Sequence, residues 1–160
     1  MIELRSITIL THKQMLITKT IEIDMGHRVP NHKSKCRNLH GHRYSIEVGV
    51  DDILISAPGS SDEGMVMDFG DLKGVMMDVL DGGFDHGFVM YEGDVYADTF
   101  RSWMENDLCK VILVPFIPTA EKLAEYWFGL LDRKLKPRDI NLQHVKVWET
   151  PTSTALYTRK

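Results

Sequence analysis

Four histidines and a cysteine fall within the stretch His27-Arg-Val-Pro-Asn-His-Lys-Ser-Lys-Cys36-Arg-Asn-Leu-His40-Gly-His42, and the types and spacing of His27, Cys36, His40 and His42 suit a metal site. His40 and His42 are two apart, so on a strand both imidazoles project from one face and can close on one ion. Gly41 between them puts no side chain on the opposite face. With His27 as the third ligand, three imidazoles make a zinc site with one position open for water or substrate, the catalytic rather than the structural arrangement. Cys36, four residues before the pair, then reads as a reactive thiolate beside the metal. Between Arg28 and Arg43 the chain carries Arg28, Lys33, Lys35, Arg37 and Arg43 with no Asp or Glu, although its net charge is -4. Such a loop alone is ordinarily just solvated; its coincidence with the histidines points to a small polyanionic substrate.

The segments around this cluster have the periodicity needed to aim it. Ile17, Ile21, Ile23, Met25 and His27 share one parity, with Thr18, Thr20, Glu22 and Asp24 on the other, which predicts a half-buried strand. His40, His42, Tyr44, Ile46, Val48 and Val50 share a parity in the same way. If these strands pair antiparallel through the loop, all three histidines continue the apolar face of one ribbon, provided no bulge flips the phase. Ser56 to Gly64 is a loop by composition. Asp68 or Asp71 caps a helix with Leu72, Val75, Met76, Val79 and Leu80 on its apolar face, and Gly82-Gly83 stops it. Less regular sequence follows from Phe84 to Asn106, then a short strand at Val111 to Val114. Thr119 caps a second helix with Leu123, Trp127, Leu130 and Leu131 inward, and Pro137 ends it. Strands at Val145 to Glu149 and Thr154 to Arg159 flank a turn at Thr150 to Ser153.

A chain of 160 residues, 43% hydrophobic, supports one domain with a proper core and is short for two. Its acidic balance argues against nucleic acid as a partner. No apolar run approaches the roughly 18 residues of a membrane helix. Glu3 and Arg5 interrupt any signal-peptide core, so the cytoplasm is expected, where Cys36 and Cys109 stay thiols. Cys109, just before the apolar run, is expected to be a small buried hydrophobe. His12, His32 and His144 are expected at the surface, His32 within reach of a phosphate.

An isolated His-x-His pair is weak; with an in-phase His27 and Cys36 the constellation resembles the 6-pyruvoyl-tetrahydropterin synthase and 6-carboxy-tetrahydropterin synthase family. There a strand ends in His, a loop supplies Cys, and His-Gly-His opens the next strand. The spacing Cys36-x-x-x-His40-Gly-His42 is similar to that of the 6-carboxy enzymes of queuosine biosynthesis. Biopterin-type synthases place Cys five residues from His-Gly-His, and folate-pathway relatives put Glu where Cys36 stands. The resemblance runs from about residue 15 to 160 and recurs at Met67 to Lys73, Phe84-Asp85-His86, Pro118-Thr119-Ala-Glu121 and Val147 to Thr150. The chain departs from the pattern at Ile117, where Asn is usual, at Phe84, where Leu is usual, and in an insertion at about 91–114. Residues 1–14 lie outside the match, as an N-terminal extension that is an added strand or an upstream start, Met15 being the other candidate start.

The resemblance implies a tunnelling fold of class α+β: a four-stranded antiparallel sheet with two helices on one face, in the order ββααββ, formed by residues 15–160. It implies zinc held by His27, His40 and His42, Cys36 as general base, and Asp85 with His86 as a partner acid-base pair. Glu149 would bind the pyrimidine edge of a pterin, with Thr119 beside it, and Lys33, Lys35 and Arg37 would meet the triphosphate. The implied reaction converts 7,8-dihydroneopterin triphosphate to 6-carboxy-5,6,7,8-tetrahydropterin, acetaldehyde and triphosphate, in a homohexamer of stacked trimers with sites between subunits. The alternatives are the 6-pyruvoyl synthase reaction and a catalytically silent pterin-binding or assembly protein of the same fold.

Overall fold

The alternating segments form a long antiparallel ribbon, β1 (Gln14–His27) against β2 (His40–Ile53). In the computed structural model, which describes residues 14–159, the ribbon's register runs from Gln14 opposite Ile53 to His27 opposite His40. With no bulge in that pairing, the parity read from the sequence survives along the whole ribbon. Ile21, Ile23 and Met25 from β1 and Tyr44, Ile46, Val48 and Val50 from β2 are buried on one face. β5 (Asn141–Thr150) adds Leu142, Val145 and Val147 to it, and β6 (Ser153–Thr158) adds Ala155. Each fully buried aliphatic side chain of this kind stabilises the fold by about 1.5–3 kcal/mol.

Two long helical segments cover that face. Asp68, not Asp71, caps α1 (Phe69–Met76), its carboxylate accepting from the Gly70 N–H at 2.6 Å. The predicted stop at Gly82-Gly83 is not observed: a π turn at Met77–Asp81 runs into a further helical turn, α2 (Gly82–Phe84), because glycine accepts right-handed helical angles as readily as others. The chain leaves the helix at Asp85. Thr119 caps α4 (Ala120–Leu135), which buries Leu123, Trp127, Phe128 and Leu131, and Pro137 sits in the 3₁₀ turn that ends it. These residues and Leu72, Val75, Met76 and Leu80 join the sheet residues in one core.

The expected four-stranded sheet is enlarged. Its order is β4-β3-β1-β2-β5-β6, so β1, β2, β5 and β6 make the antiparallel part and two short strands extend it. β3 (Phe88–Tyr91) runs parallel to the end of β1, with Phe88 opposite Gly26, and β4 (Val111–Val114) runs parallel to β3. Parallel neighbours require a crossover, supplied by α3 (Ala97–Glu105) over a small second core of Met90, Phe100 and Val111. The stretch read as irregular thus contains a strand and a helix. Cys109 is exposed, not buried, because it lies in the connection from α3 to β4 ahead of the buried residues. The proposed extension at residues 1–14 lies outside the described residues except for Gln14, which opens β1.

Candidate active site

The hydrophobic face of the ribbon ends in histidine. His27 stands opposite His40 and Met25 opposite His42, so the three imidazoles share the buried face at the loop end of the two strands. Their ring centroids are 4.5, 5.3 and 5.1 Å apart, and one ligand atom from each lies within 4.8 Å of the others. This close approach of β1 and β2 needs glycine: a Cβ on Gly41 would stand 2.9 Å from the Met25 carbonyl oxygen, and one on Gly26 would enter the Phe88 ring.

The ring nitrogens are sorted by their partners. His27 Nδ1 donates to the Pro118 carbonyl at 2.7 Å and His40 Nδ1 to the Asn38 carbonyl at 2.9 Å. Each therefore leaves Nε2 as the lone-pair nitrogen, the backbone orientation common for metal-ligating histidine. His27 Nε2 is buried with no hydrogen-bond partner. Burial lowers the basicity of both His27 and His42 below the ordinary histidine value, which favours their neutral form. Neutral, pre-aimed nitrogens and a buried orphan atom fit a tetrahedral ion such as zinc, with the fourth position left to another ligand.

A cavity of about 220 Å³ opens beside this cluster, lined by His27, His32, Cys36, Thr119, Glu121 and Glu149 among others. Cys36 is half-buried on the 3₁₀ turn Lys35–Arg37, and its carbonyl accepts from the Val29 N–H at 2.9 Å, which folds the loop back toward β1. Glu149 continues the parity of Val145 and Val147, which turns its carboxylate toward the histidines while leaving the side chain 28% exposed. Its Oε1 is 3.6 Å from His27 Nε2. Tyr44, beneath His27 and His42, carries a buried hydroxyl with no hydrogen-bond partner, and burial together with Glu149 drives its ionisation far upward.

The Asp85–His86 pair is formed but placed elsewhere. Asp85 accepts from His86 Nδ1 at 2.6 Å and from the Asp24 N–H at 2.8 Å, and the Asp24 amide is the main reason its carboxyl is held below the usual range. His86, with φ of 55°, is exposed and shares a cavity with His42 and Arg43, not with Cys36. The five cations of the loop divide as well. Arg43 is paired with Asp24 through two hydrogen bonds, and Arg28 lies 3.0 Å from buried Asp94 and stacks on Tyr96. Lys33, Lys35 and Arg37 are exposed without a carboxylate partner among the described residues.

Two residues differ from their expected surface role. His32 is half-buried in the Cys36 cavity, and the Ser34 N–H donates to its Nδ1 at 3.1 Å, so a neutral ring turns an Nε2–H outward. His144 packs its ring where a side chain on Gly49 would stand and reaches Glu47 at 3.1 Å, away from the site. Asp94 escaped the sequence reading because the partner that explains its burial, Arg28, is remote in the chain; only its place in the insertion hinted at it. A larger cavity of about 450 Å³ also reaches Glu149 and is lined by His42, Arg43 and Trp148, but not by Cys36.

Known proteins with this architecture agree on one family. The sequence profile of the 6-pyruvoyl tetrahydropterin synthase family matches residues 16–160. The 6-carboxy-5,6,7,8-tetrahydropterin synthase of Haemophilus influenzae is 31% identical over 141 residues, covering 88% of this chain and 96% of its own. That of Rickettsia bellii is 34% identical over 84% of this chain and 93% of its own. The structure of Caenorhabditis elegans 6-pyruvoyl tetrahydropterin synthase superposes with a TM-score of 0.65 at 25% identity, over 92% of this chain and 97% of that one.

Proposed function

The chain belongs to the 6-pyruvoyl tetrahydropterin synthase family, and from that membership we propose that it is a 6-carboxy-5,6,7,8-tetrahydropterin synthase. Its reaction converts 7,8-dihydroneopterin triphosphate to 6-carboxy-5,6,7,8-tetrahydropterin with release of acetaldehyde and triphosphate, on the route to queuosine. The observation that carries this reading is the cavity in which Cys36, Thr119 and Glu149 meet His27, one member of a three-histidine cluster.

The residues divide the work by chemistry. Glu149 offers two oxygens to parallel N–H donors of an aminopyrimidinone, which orients the pterin with its side chain toward His27, His40 and His42. Those histidines would hold a zinc ion, which would supply Lewis acidity toward the substrate's side-chain hydroxyls. Cys36 takes the proton from the adjacent carbon as the general base. Lys33, Lys35 and Arg37, being unpaired, receive the triphosphate. Asp85 holds His86 with its proton on Nδ1, leaving Nε2 to exchange a proton with substrate. Because that pair opens onto a different cavity from Cys36, the pair of one chain serves the Cys36 cavity of another. This makes the enzyme a homo-oligomer, the homohexamer implied by the family resemblance. A working thiol base favours the reducing cytoplasm.

Incubation of the zinc-loaded protein with 7,8-dihydroneopterin triphosphate and mass spectrometry of the products tests the proposal. 6-Carboxy-tetrahydropterin and acetaldehyde are expected. A 6-pyruvoyl product would reassign the chain within the family, and unchanged substrate would make it a silent scaffold.

A further inference from the structure

The Tyr44 hydroxyl is a feature of the site that the roles above leave idle. It is fully buried, it makes no well-formed hydrogen bond although the Glu149 carboxylate is close enough to act on it, and its ring packs edge-on against both His27 and His42 at centroid distances of 5.9 and 5.6 Å. Ser45 pairs with Trp148 across β2 and β5, so one step further along the register Tyr44 lies across from Glu149, both on the buried face. Tyr44 itself lines neither the Cys36 cavity nor the larger one beside Glu149. A buried donor left unsatisfied is costly, and such groups persist where a functional state supplies their partner.

We propose that Tyr44 is a positioning residue: its hydroxyl donates to the Glu149 carboxylate when the pterin is seated, and holds that carboxylate in the plane of the pyrimidine edge. The geometry gives this a second consequence. Glu149 Oε1 already lies 3.6 Å from His27 Nε2, the nitrogen that faces the cluster, and carboxylates ligate zinc readily. A hydrogen bond from Tyr44 holds the carboxylate back from the ion and keeps it available to the pterin. A tyrosine in this place therefore separates the metal-binding and pterin-reading functions of two groups that are almost in contact.

The inference rests on the reading of Glu149 as the pterin ligand, and the test separates the two. Affinity for 7,8-dihydroneopterin, which lacks the triphosphate, is measured on the zinc-loaded full-length protein, with zinc content, thermal midpoint, KM and kcat. Tyr44→Phe deletes one oxygen and leaves the ring packing in place. It is expected to weaken 7,8-dihydroneopterin binding and raise KM by about tenfold, the worth of one charge-assisted hydrogen bond. Zinc content and thermal midpoint should not fall, whereas a purely structural tyrosine would move the midpoint and leave the affinity alone. In a Glu149→Ala background Tyr44→Phe should cost nothing further. Unchanged affinity in Tyr44→Phe beside weakened affinity in Glu149→Gln overturns the role of Tyr44 and leaves the substrate reading standing. An equal loss from Tyr44→Phe with Glu149 already removed also overturns it. Unchanged affinity in Glu149→Gln itself overturns the reading beneath both.

Discussion

His27 Nε2 and Glu149 Oε1 lie 3.6 Å apart, at the junction of the metal cluster and the cavity that contains Cys36. They come from strands separated by β2 in the sheet, and each continues the buried parity of its own strand. A substrate whose ring is held by Glu149 must therefore present its next atoms to the histidines.

Three imidazoles aimed at one point should hold about one zinc per chain. His42→Ala should lose metal and activity together while the sheet persists, since His42 is not needed for the hydrophobic core. Metal analysis after gel filtration checks this; retention of wild-type zinc would remove His42 from the site.

Cys36→Ala should fold, bind zinc and bind the pterin, because the sulfur shares only the cavity with those groups. Turnover should drop by roughly 10²–10⁴, the usual effect of deleting one positioned base. If zinc leaves with the sulfur, Cys36 is a fourth ligand and the site is closed rather than catalytic.

The two ends of the substrate should respond differently to salt. Glu149→Gln breaks hydrogen bonds and should weaken binding of a phosphate-free pterin at any ionic strength. Substitutions at Lys33, Lys35 or Arg37 should weaken only the triphosphate form, by an effect that added salt reproduces in the wild type. Titrations of both ligands at two salt concentrations distinguish the classes, and a salt-insensitive loss at the lysines would contradict the assignment.

Arg28 and Asp94 form a buried ion pair that ties the insertion to the residue following His27. Asp94→Leu should destabilise the fold by about 3 kcal/mol, since Arg28 is left charged and buried without a carboxylate. Denaturant unfolding measures the loss, and limited proteolysis should then cut first within residues 92–109. Wild-type stability would show that Arg28 finds another partner.

Asp85 has its carboxyl held below the usual value of 3.8, first by the Asp24 N–H and then by His86. A carboxylate of this kind contributes stability above its unfolded pKa, and that contribution disappears as pH falls through and below it. Wild-type stability should therefore decline more steeply than that of Asp85→Asn as pH drops below about 4. Parallel denaturation curves at each pH would show that the pair contributes nothing to folding.

Much of the site was legible from local pattern alone. His27, His40 and His42 share a parity with Ile23 and Tyr44, and a bulge-free ribbon has only one way to place that parity. Thr119 and Asp68 announced their helices because a capping oxygen acts on amides two or three residues away. What chain neighbours do not determine had to wait for the tertiary structure. Glu149 could have faced either side of β5, and only the sheet order put it against His27. Arg28 looked like one more phosphate-binding cation until the insertion folded back and buried Asp94 beside it. The strand β4 was legible as an apolar run, but β3 carried too few residues for a periodic signal, and the pairing of the two depends on a crossover closed through space. Which residues could hold an ion was written in residue type and period two. Which cations were spent on ion pairs, and which acid met which base, depended on contacts between distant segments, whose energies no local spacing encodes.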